Sequence, residues 1–289
     1  MSIQDISCEK CDGKNIKKDG VRETKNRGNV QRYKCKDCFH RFSIDDGFWK
    51  MKNHEDKITS CMNMYYAGMS LRKIQEHLQM FAHKNSHYST VYRWIVKYAN
   101  MISNLTNNTQ IKSWQELMSD EMESHRLGEQ NWFVDVMDTE TRFVVASDYI
   151  KSRTIDNLTR VLKHRKFATG EQVKVIITDG LQGYERVLKK SFGLKTHWNH
   201  KSPIIHNVVI ASERGFNHKI ERLHNSIRDR TKIMRGFHGS LGSVRAIMKG
   251  YEIYYNFVRK HQGIDNKTPQ EEAIPKLAYF SNVYLLQHI

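Results

Sequence analysis

The sequence predicts a multidomain chain: a small β domain closed on four cysteines, then an all-α domain, then an α/β domain with a mixed sheet. Three observations predict this. Two C-x-x-C pairs lie near the start, residues 54 to 103 repeat with a helical period, and from about residue 113 alternating apolar segments give way to strand–helix alternation. At 289 residues the chain has room for a catalytic-sized core plus smaller modules, with boundaries expected at 1–48, 49–110 and 111–280.

The balance of charge narrows the class of partner. A net charge of +16 and a pI near 9.6 point to nucleic acid or another acidic surface. The first 110 residues are the denser basic region, with 19 Lys+Arg against 11 Asp+Glu, while the remaining 179 carry 28 against 20. No apolar run approaches the roughly 18 residues of a membrane span, and the N-terminus lacks the apolar core of a signal peptide. The expected location is therefore cytoplasmic, at the DNA. Of five cysteines, four are paired closely, which fits a metal site in a reducing compartment better than a disulfide framework.

The first element is built on Cys8, Cys11, Cys35 and Cys38. Each C-x-x-C makes a tight turn that aims two thiolates at one point, and four thiolates around Zn²⁺ stabilise a domain too small for a sufficient core. Between the pairs, "GVRETKNRGNVQRYKC" reads as two short strands about an Asn-Arg-Gly-Asn turn, the form of a zinc ribbon. Cys61 falls in an apolar helical pattern and is expected in a core.

Next, "AGMSLRKIQEHL" and "HYSTVYRWIVKYANMI" carry helix-turn-helix punctuation. Gly68 breaks the first helix, Ser70 caps the second, and Ser89 or Thr90 caps the third. The third then places Thr90, Arg93 and Lys97 on an exposed stripe while Val91, Trp94, Ile95 and Tyr98 face inward, as in a recognition helix for a major groove.

From residue 113, "QELMSDEMESH", "NWFVDVMDTET" and "RFVVASDYI" read as a three-stranded meander. A helix ("TIDNLTRVLKHR"), the apolar strand "VKVIITD", a helix ("LQGYERVLKK"), a short strand near "LKTHW" and a helix-period stretch over 206–237 follow. That is the element order of a ribonuclease H-like mixed α/β domain.

Within this domain three acids stand out. Asp120 lies in the first strand of the meander, and Asp179 ends "VKVIITD". Glu221 sits at the centre of the most basic helical stretch, on a polar face with Asn225 and Arg228, while Phe216, Ile220, Leu223 and Ile227 point inward. Converging carboxylates repel unless divalent cations lie among them. Two Mg²⁺ or Mn²⁺ ions about 3.5–4 Å apart would suit in-line displacement at a phosphodiester. Lys219, Arg222 and Arg228 would then hold phosphates around Glu221.

Taken together, "MSLRKIQEHLQMFAHKNSHYSTVYRWIVKYA", "WQELMSDE", "IITDGLQGY", "NHKIERLHNSIRDRTKIMRGF" and "YNFVRKHQGIDNKTPQEEA" resemble the insertion-sequence DDE transposases, whose catalytic domain is similar to that of retroviral integrases. The resemblance implies a catalytic triad of Asp120, Asp179 and Glu221, with Arg228 near the scissile DNA end. It also implies binding to the terminal inverted repeats of the element, metal-dependent cleavage and strand transfer into target DNA, and an assembly of at least a dimer. A catalytically inactive, DNA-binding descendant and a junction-resolving nuclease are the other functions of this fold to separate from it. The Asp179–Glu221 spacing exceeds the family's usual one, with the extra length in "HWNHKSPIIHNVV".

Other acids and histidines receive plainer readings. Glu213 competes with Glu221 as the third ligand but lacks the N-x-x-x-E-x-x-x-N context that surrounds it. Alternation along a strand turns Glu121 and Glu123 away from Asp120's face, Asp135 and Asp138 read as a strand-turn pair, and His197, His200 and His206 read as surface or DNA-facing. The helix "YEIYYNFVRKHQ" closes the catalytic domain by packing.

Overall fold

The computed structural model describes residues 6–25, 28–44, 47–48, 51–81, 86–106, 115–169, 173–192, 204–209, 218–234 and 236–273. These fall into two units, divided between Asn63 and Met64.

In the first unit β1 (Ile16–Thr24), β2 (Gly28–Cys35) and β3 (Arg41–Phe42) form an antiparallel sheet in that order. Its core is small: Ile6, Cys8, Ile16, Cys35 and Phe42, with Tyr33, Cys38 and Ile44 against them. Both C-x-x-C turns repeat one geometry. Asp12 and Phe39, each just after the second cysteine of its pair, adopt left-handed φ of 55° and 59°, and the N–H groups of Cys8 and Cys35 donate to the carbonyls of Gly13 and His40. Helix α1 (Glu55–Tyr66) follows, with Cys61 buried on it.

The turn after α1 uses Gly68, at φ +119°, and its N–H donates to the Tyr65 carbonyl. Ser70 caps α2 (Leu71–Phe81) by accepting from the Lys73 N–H at 3.3 Å. Helix α3 (Tyr88–Thr106) begins earlier than the serine and threonine suggest: His87 Nδ1 accepts from the Ser89 N–H, and the His87 carbonyl accepts from Thr90 and Val91. Val91, Trp94, Ile95 and Tyr98 are buried, Arg93 and Lys97 are exposed, and Thr90 is half-buried.

The α/β part contains β4 (Glu116–Arg126), β5 (Glu129–Asp138) and β6 (Val144–Ile150), an antiparallel meander, then α4 (Ile155–Thr169), β7 (Val175–Thr178), α5 (Tyr184–Phe192) and β8 (Ile205–Val208). Sheet order is β6-β5-β4-β7-β8, with β4, β7 and β8 mutually parallel. This is the mixed sheet that the element order leads one to expect. The strand expected near "LKTHW" lies outside the described residues; the fifth strand is formed by residues that helical periodicity had joined to the basic stretch. Ile205–Val208 runs beside β7, so its backbone groups pair with a strand.

Helices cover both faces. Leu117, Val134, Val136 and Ile176 meet Leu158 and Leu162 of α4 and Tyr184 and Val187 of α5. On the opposite side, Met118 and Ile177 receive Ile220 of α6 (His218–Lys232). Helix α7 (Leu241–Phe257) is capped by Ser240, which accepts from the Ser243 N–H at 3.1 Å, and it packs against β6 and α3. Gly250 permits the approach to α3: a Cβ there would lie 3.0 Å from that of Ala99 and overlap the Tyr66 hydroxyl. A short α8 (Pro269–Ala273) buries Ala273 in the main core.

Candidate active site

Strand pairing brings two of the sequence-predicted acids together. Ser119 of β4 is paired with Thr178, the last residue of β7, so Asp120, midway along β4, and Asp179, just past the end of β7, follow the last pair side by side. A third carboxylate joins them, that of Glu121: one oxygen from each of Asp120, Glu121 and Asp179 lies within 4.8 Å of the others. Alternation along β4 had turned Glu121 away. β7 ends at Thr178 and its pairing with β4 stops at Ser119, so Asp179 lies just past the paired segment, within reach of a side chain as long as glutamate.

Glu121 is held deliberately in place. Its side chain is 1% exposed, Tyr184 donates its hydroxyl to Oε1, and the Arg153 guanidinium stands 4.0 Å from Oε2 while stacking on Trp132. Tyr184 also shares a 3.0 Å hydrogen bond with Ser119. Burial, reinforced by Asp179 and Asp120, pushes the Glu121 carboxyl up to about 7 even against the Tyr184 bond. Asp120 is likewise raised, mainly by burial, with His224 opposing and Asp179 and Asp135 adding to the shift. Oε2 of Glu121 is buried and accepts no hydrogen bond. A buried carboxylate oxygen without a hydrogen bond, beside two further carboxylates, fits a hard divalent cation, whose ligands are oxygens.

Asp135 and Asp138 do not form a strand-turn pair. Asp138 alone serves the turn, accepting from Glu140 and Thr141, whereas Asp135 is buried within β5 opposite Asp120 and hydrogen-bonded to His224. Sequence periodicity carried a signal for His224. It lies about 40° from Ile220 and about 60° from Ile227 around α6, on the inward stripe, where an uncommitted imidazole would leave buried nitrogens unpaired.

Glu221 stands exposed in the first turn of α6, three residues before His224, and outside the three-carboxylate group. Its competitor Glu213 lies outside the described residues, as do His197 and His200. His206 bonds Thr178 across β7 and β8 at 2.8 Å, and burial lowers its pKa. Among the basic residues, Arg222 and Arg228 are exposed, Arg228 donating to Asn225 at 3.0 Å. Lys219 instead spends its ammonium on the Thr139 carbonyl at 2.6 Å. On α3, Arg93 donates to Ser89 at 3.4 Å and Lys97 lies over the Tyr98 ring at 5.0 Å.

A second group could hold metal in the N-terminal unit. Sγ of Cys8 lies 3.5 Å from that of Cys38, and Cys11 lies 3.7 Å from Cys35. Tetrahedral coordination at a Zn–S bond of about 2.3 Å implies S···S separations of about 3.8 Å, so the four thiols suit that ion. The Cys8 thiol is lowered to about 7: burial opposes the shift, and the Lys10 and Cys11 N–H groups aimed at the sulfur outweigh it.

Comparison with known proteins adds one sequence match and several structural likenesses. No curated protein matches the chain. An HTLV-2 integrase catalytic core domain in complex with magnesium, in its dimeric form, is 12% identical over 56% of this chain and 96% of its own, with a TM-score of 0.38. The trimeric form is 14% identical over 56% and 97%, at 0.40. An intasome of simian T-cell lymphotropic virus in complex with the PP2A regulatory subunit B56 gamma is 12% identical over 74% and 71%, at 0.41. The family described as "Integrase core domain" matches residues 211–269, a span that includes Glu221, His224, Arg228 and Asn256. Over that segment the chain is similar to the integrase core domain family, and the segment includes the helix that carries Glu221.

Proposed function

We propose that this chain is a DNA transposase of the DDE class. It would bind the terminal inverted repeats of its element, cleave the DNA ends and join the freed 3′ ends to target DNA. The observation that carries the reading is the convergence of Asp120, Glu121 and Asp179 at the end of paired parallel strands, with a buried oxygen of Glu121 left without a hydrogen bond. The mixed sheet and the match over 211–269 support it.

Asp120 and Asp179, with Glu221 from α6, are the residues to which we assign Mg²⁺ or Mn²⁺, two ions per site, and Glu121 stands ready as a further oxygen ligand. Such ions, when bound, make the attacking hydroxyl more acidic and stabilise charge on the leaving oxygen. In the first step a water oxygen forms a bond to phosphorus, the P–O3′ bond breaks, and the proton lost by water ends on the departing 3′ oxygen. In the second that 3′-hydroxyl attacks a target phosphodiester, again exchanging one P–O bond for another, so no protein–DNA covalent bond forms.

The remaining assignments follow the charge. Residues 1–48 act as a zinc ribbon holding one structural Zn²⁺ on Cys8, Cys11, Cys35 and Cys38. Residues 49–110 act as a helix-turn-helix in which Thr90, Arg93 and Lys97 meet DNA, and 111–280 form the catalytic domain. Arg222 and Arg228 contact phosphates beside the scissile end, with Lys219 bracing α6 through Thr139. Pairing two DNA ends calls for at least a dimer.

The test is to incubate the protein with Mg²⁺ or Mn²⁺, a labelled duplex carrying the DNA that flanks its gene, and a plasmid. Metal-dependent joined products that vanish with Asp179→Ala would support the reading. Cleavage without joining would identify a nuclease of the same fold. Tight binding with no metal-dependent cleavage would identify a DNA-binding protein that has lost catalysis.

A further inference from the structure

Strands β4 and β5 set Asp120 directly opposite Asp135. Like charges facing each other across an antiparallel pair destabilise it, and these two side chains are 19% and 1% exposed. Some group must reconcile them. His224, 2% exposed on the inward face of α6, enters between the two. Its Nε2 donates to Asp135 Oδ2 at 3.1 Å, and its Nδ1 lies 3.5 Å from Asp120 Oδ2. The other oxygen of Asp120 accepts from the Glu121 N–H at 2.8 Å.

We propose that His224 is a positioning residue: anchored by Asp135, it fixes the rotation of the Asp120 carboxylate and ties the turn of α6 that carries Glu221 to that carboxylate. The inference rests on the reading of Asp120 and Asp179 as metal ligands and assigns nothing to His224 beyond orientation. Each carboxylate oxygen has two lone pairs, so the contacts to Glu121 and His224 leave Asp120 able to meet a cation as well. Outer partners of this kind hold a ligand in its binding rotamer, and their loss costs on the order of 10- to 100-fold in metal affinity or activity. The arrangement also gives the α/β unit a way to register α6 against β4: the helix bearing Glu221 cannot shift along the sheet without withdrawing its imidazole from both aspartates. Apolar contact through Ile220, Leu223 and Ile227 has no such directional demand.

The experiment is a calorimetric titration of zinc-loaded, full-length protein with Mn²⁺, comparing the wild type with His224→Ala, His224→Gln and Asp179→Ala, beside thermal melts in EDTA. Asp179→Ala identifies the binding that belongs to this site. His224→Ala is expected to weaken that binding by about 10- to 100-fold. Glutamine offers one amide donor to Asp135 but no second nitrogen to Asp120. It is therefore expected to recover thermal stability lost by alanine while leaving Mn²⁺ affinity low, a split that a purely structural histidine would not produce. In strand joining the same variant should lower kcat with KM for DNA unchanged. If the alanine variant does not fold, the glutamine variant alone decides. Wild-type affinity in folded His224→Gln would overturn the positioning role while leaving the metal site standing. A wild type that takes up no Mn²⁺ sensitive to Asp179→Ala would overturn both.

Discussion

Asn256 offers a quantitative check on how the α/β unit is closed. Strand β6 is an edge of the sheet, and the amide of Asn256 on α7 covers the outward backbone groups of Val144: Oδ1 accepts from the Val144 N–H at 2.9 Å, and Nδ2 donates to the Val144 carbonyl at 2.9 Å. Asn256 is 1% exposed and Val144 2%, so neither group has water as a substitute partner. Replacing Asn256 with leucine keeps the four branched side-chain heavy atoms and deletes both bonds. Each stranded backbone group then costs about 1–3 kcal/mol, for a total of about 2–5 kcal/mol after the gain from a more apolar side chain. Urea unfolding followed by tryptophan fluorescence measures the loss, and exchange of the Val144 amide measures it locally, where about 3 kcal/mol corresponds to roughly 10²-fold less protection. An Asn256→Leu variant within about 0.5 kcal/mol of the wild type, with Val144 still protected, would refute the claim that the helix amide substitutes for a neighbouring strand.

Three further outcomes are expected. Gly250→Ala should destabilise by about 1–3 kcal/mol because its methyl overlaps the Tyr66 hydroxyl and lies 2.6 Å from that ring's Cζ, and adding Tyr66→Phe, which removes the hydroxyl but keeps the ring carbon, should restore only part of the melting temperature. His261, lowered to about 4 chiefly by burial, stays neutral in the fold while the unfolded chain protonates near 6.5; stability is therefore complete above pH 6.5 and falls by up to about 3 kcal/mol towards pH 4, a slope that His261→Gln should flatten in melts across that range. Cys35→Ser should abolish release of one zinc per chain on thiol titration and collapse the amide dispersion of the β1–β3 sheet, whereas a zinc-free wild type with those amides intact would contradict the zinc ribbon.

Much of this architecture was written in periodicity. Four C-x-x-C cysteines, the alternation of β4 to β6 and the apolar "VKVIITD" each encode one local geometry, so their elements follow directly from the residues. The amphipathic stripe of α3 is equally plain, although its cap is a histidine, which capping preferences rank below the serine and threonine that follow. Residues 205–208 misled because four residues are too few to distinguish a strand from the start of a helix, and their pairing depends on β7, thirty residues earlier.

The site was legible where chemistry follows strand order and obscure where it follows tertiary reach. Asp120 and Asp179 are brought together by the parallel pairing of their strands, which element order implies. Glu121 keeps the face of Ser119, both bonding Tyr184, and it joins Asp120 and Asp179 because the pairing with β7 stops at Ser119, a strand end in three dimensions that is not a property of the neighbouring sequence. Asp135 and His224 are a long-range pair across the β5–α6 interface, so neither residue signals the other along the chain. Lys219 illustrates the converse: a basic residue beside an acid reads as a phosphate contact, yet a backbone carbonyl at the end of the β5 turn has taken it.

The exposure of Glu221 makes its role the most demanding part of the account. The most direct measurement is strand joining by Glu221→Gln beside the wild type, in Mg²⁺ and in Mn²⁺, at matched DNA binding. The amide keeps the size and the helix but cannot hold a cation as a carboxylate does, so joined product is expected from the wild type alone. Joining by Glu221→Gln at the wild-type rate would contradict the assignment of α6 to the catalytic site and leave Asp120, Glu121 and Asp179 as a site complete without it.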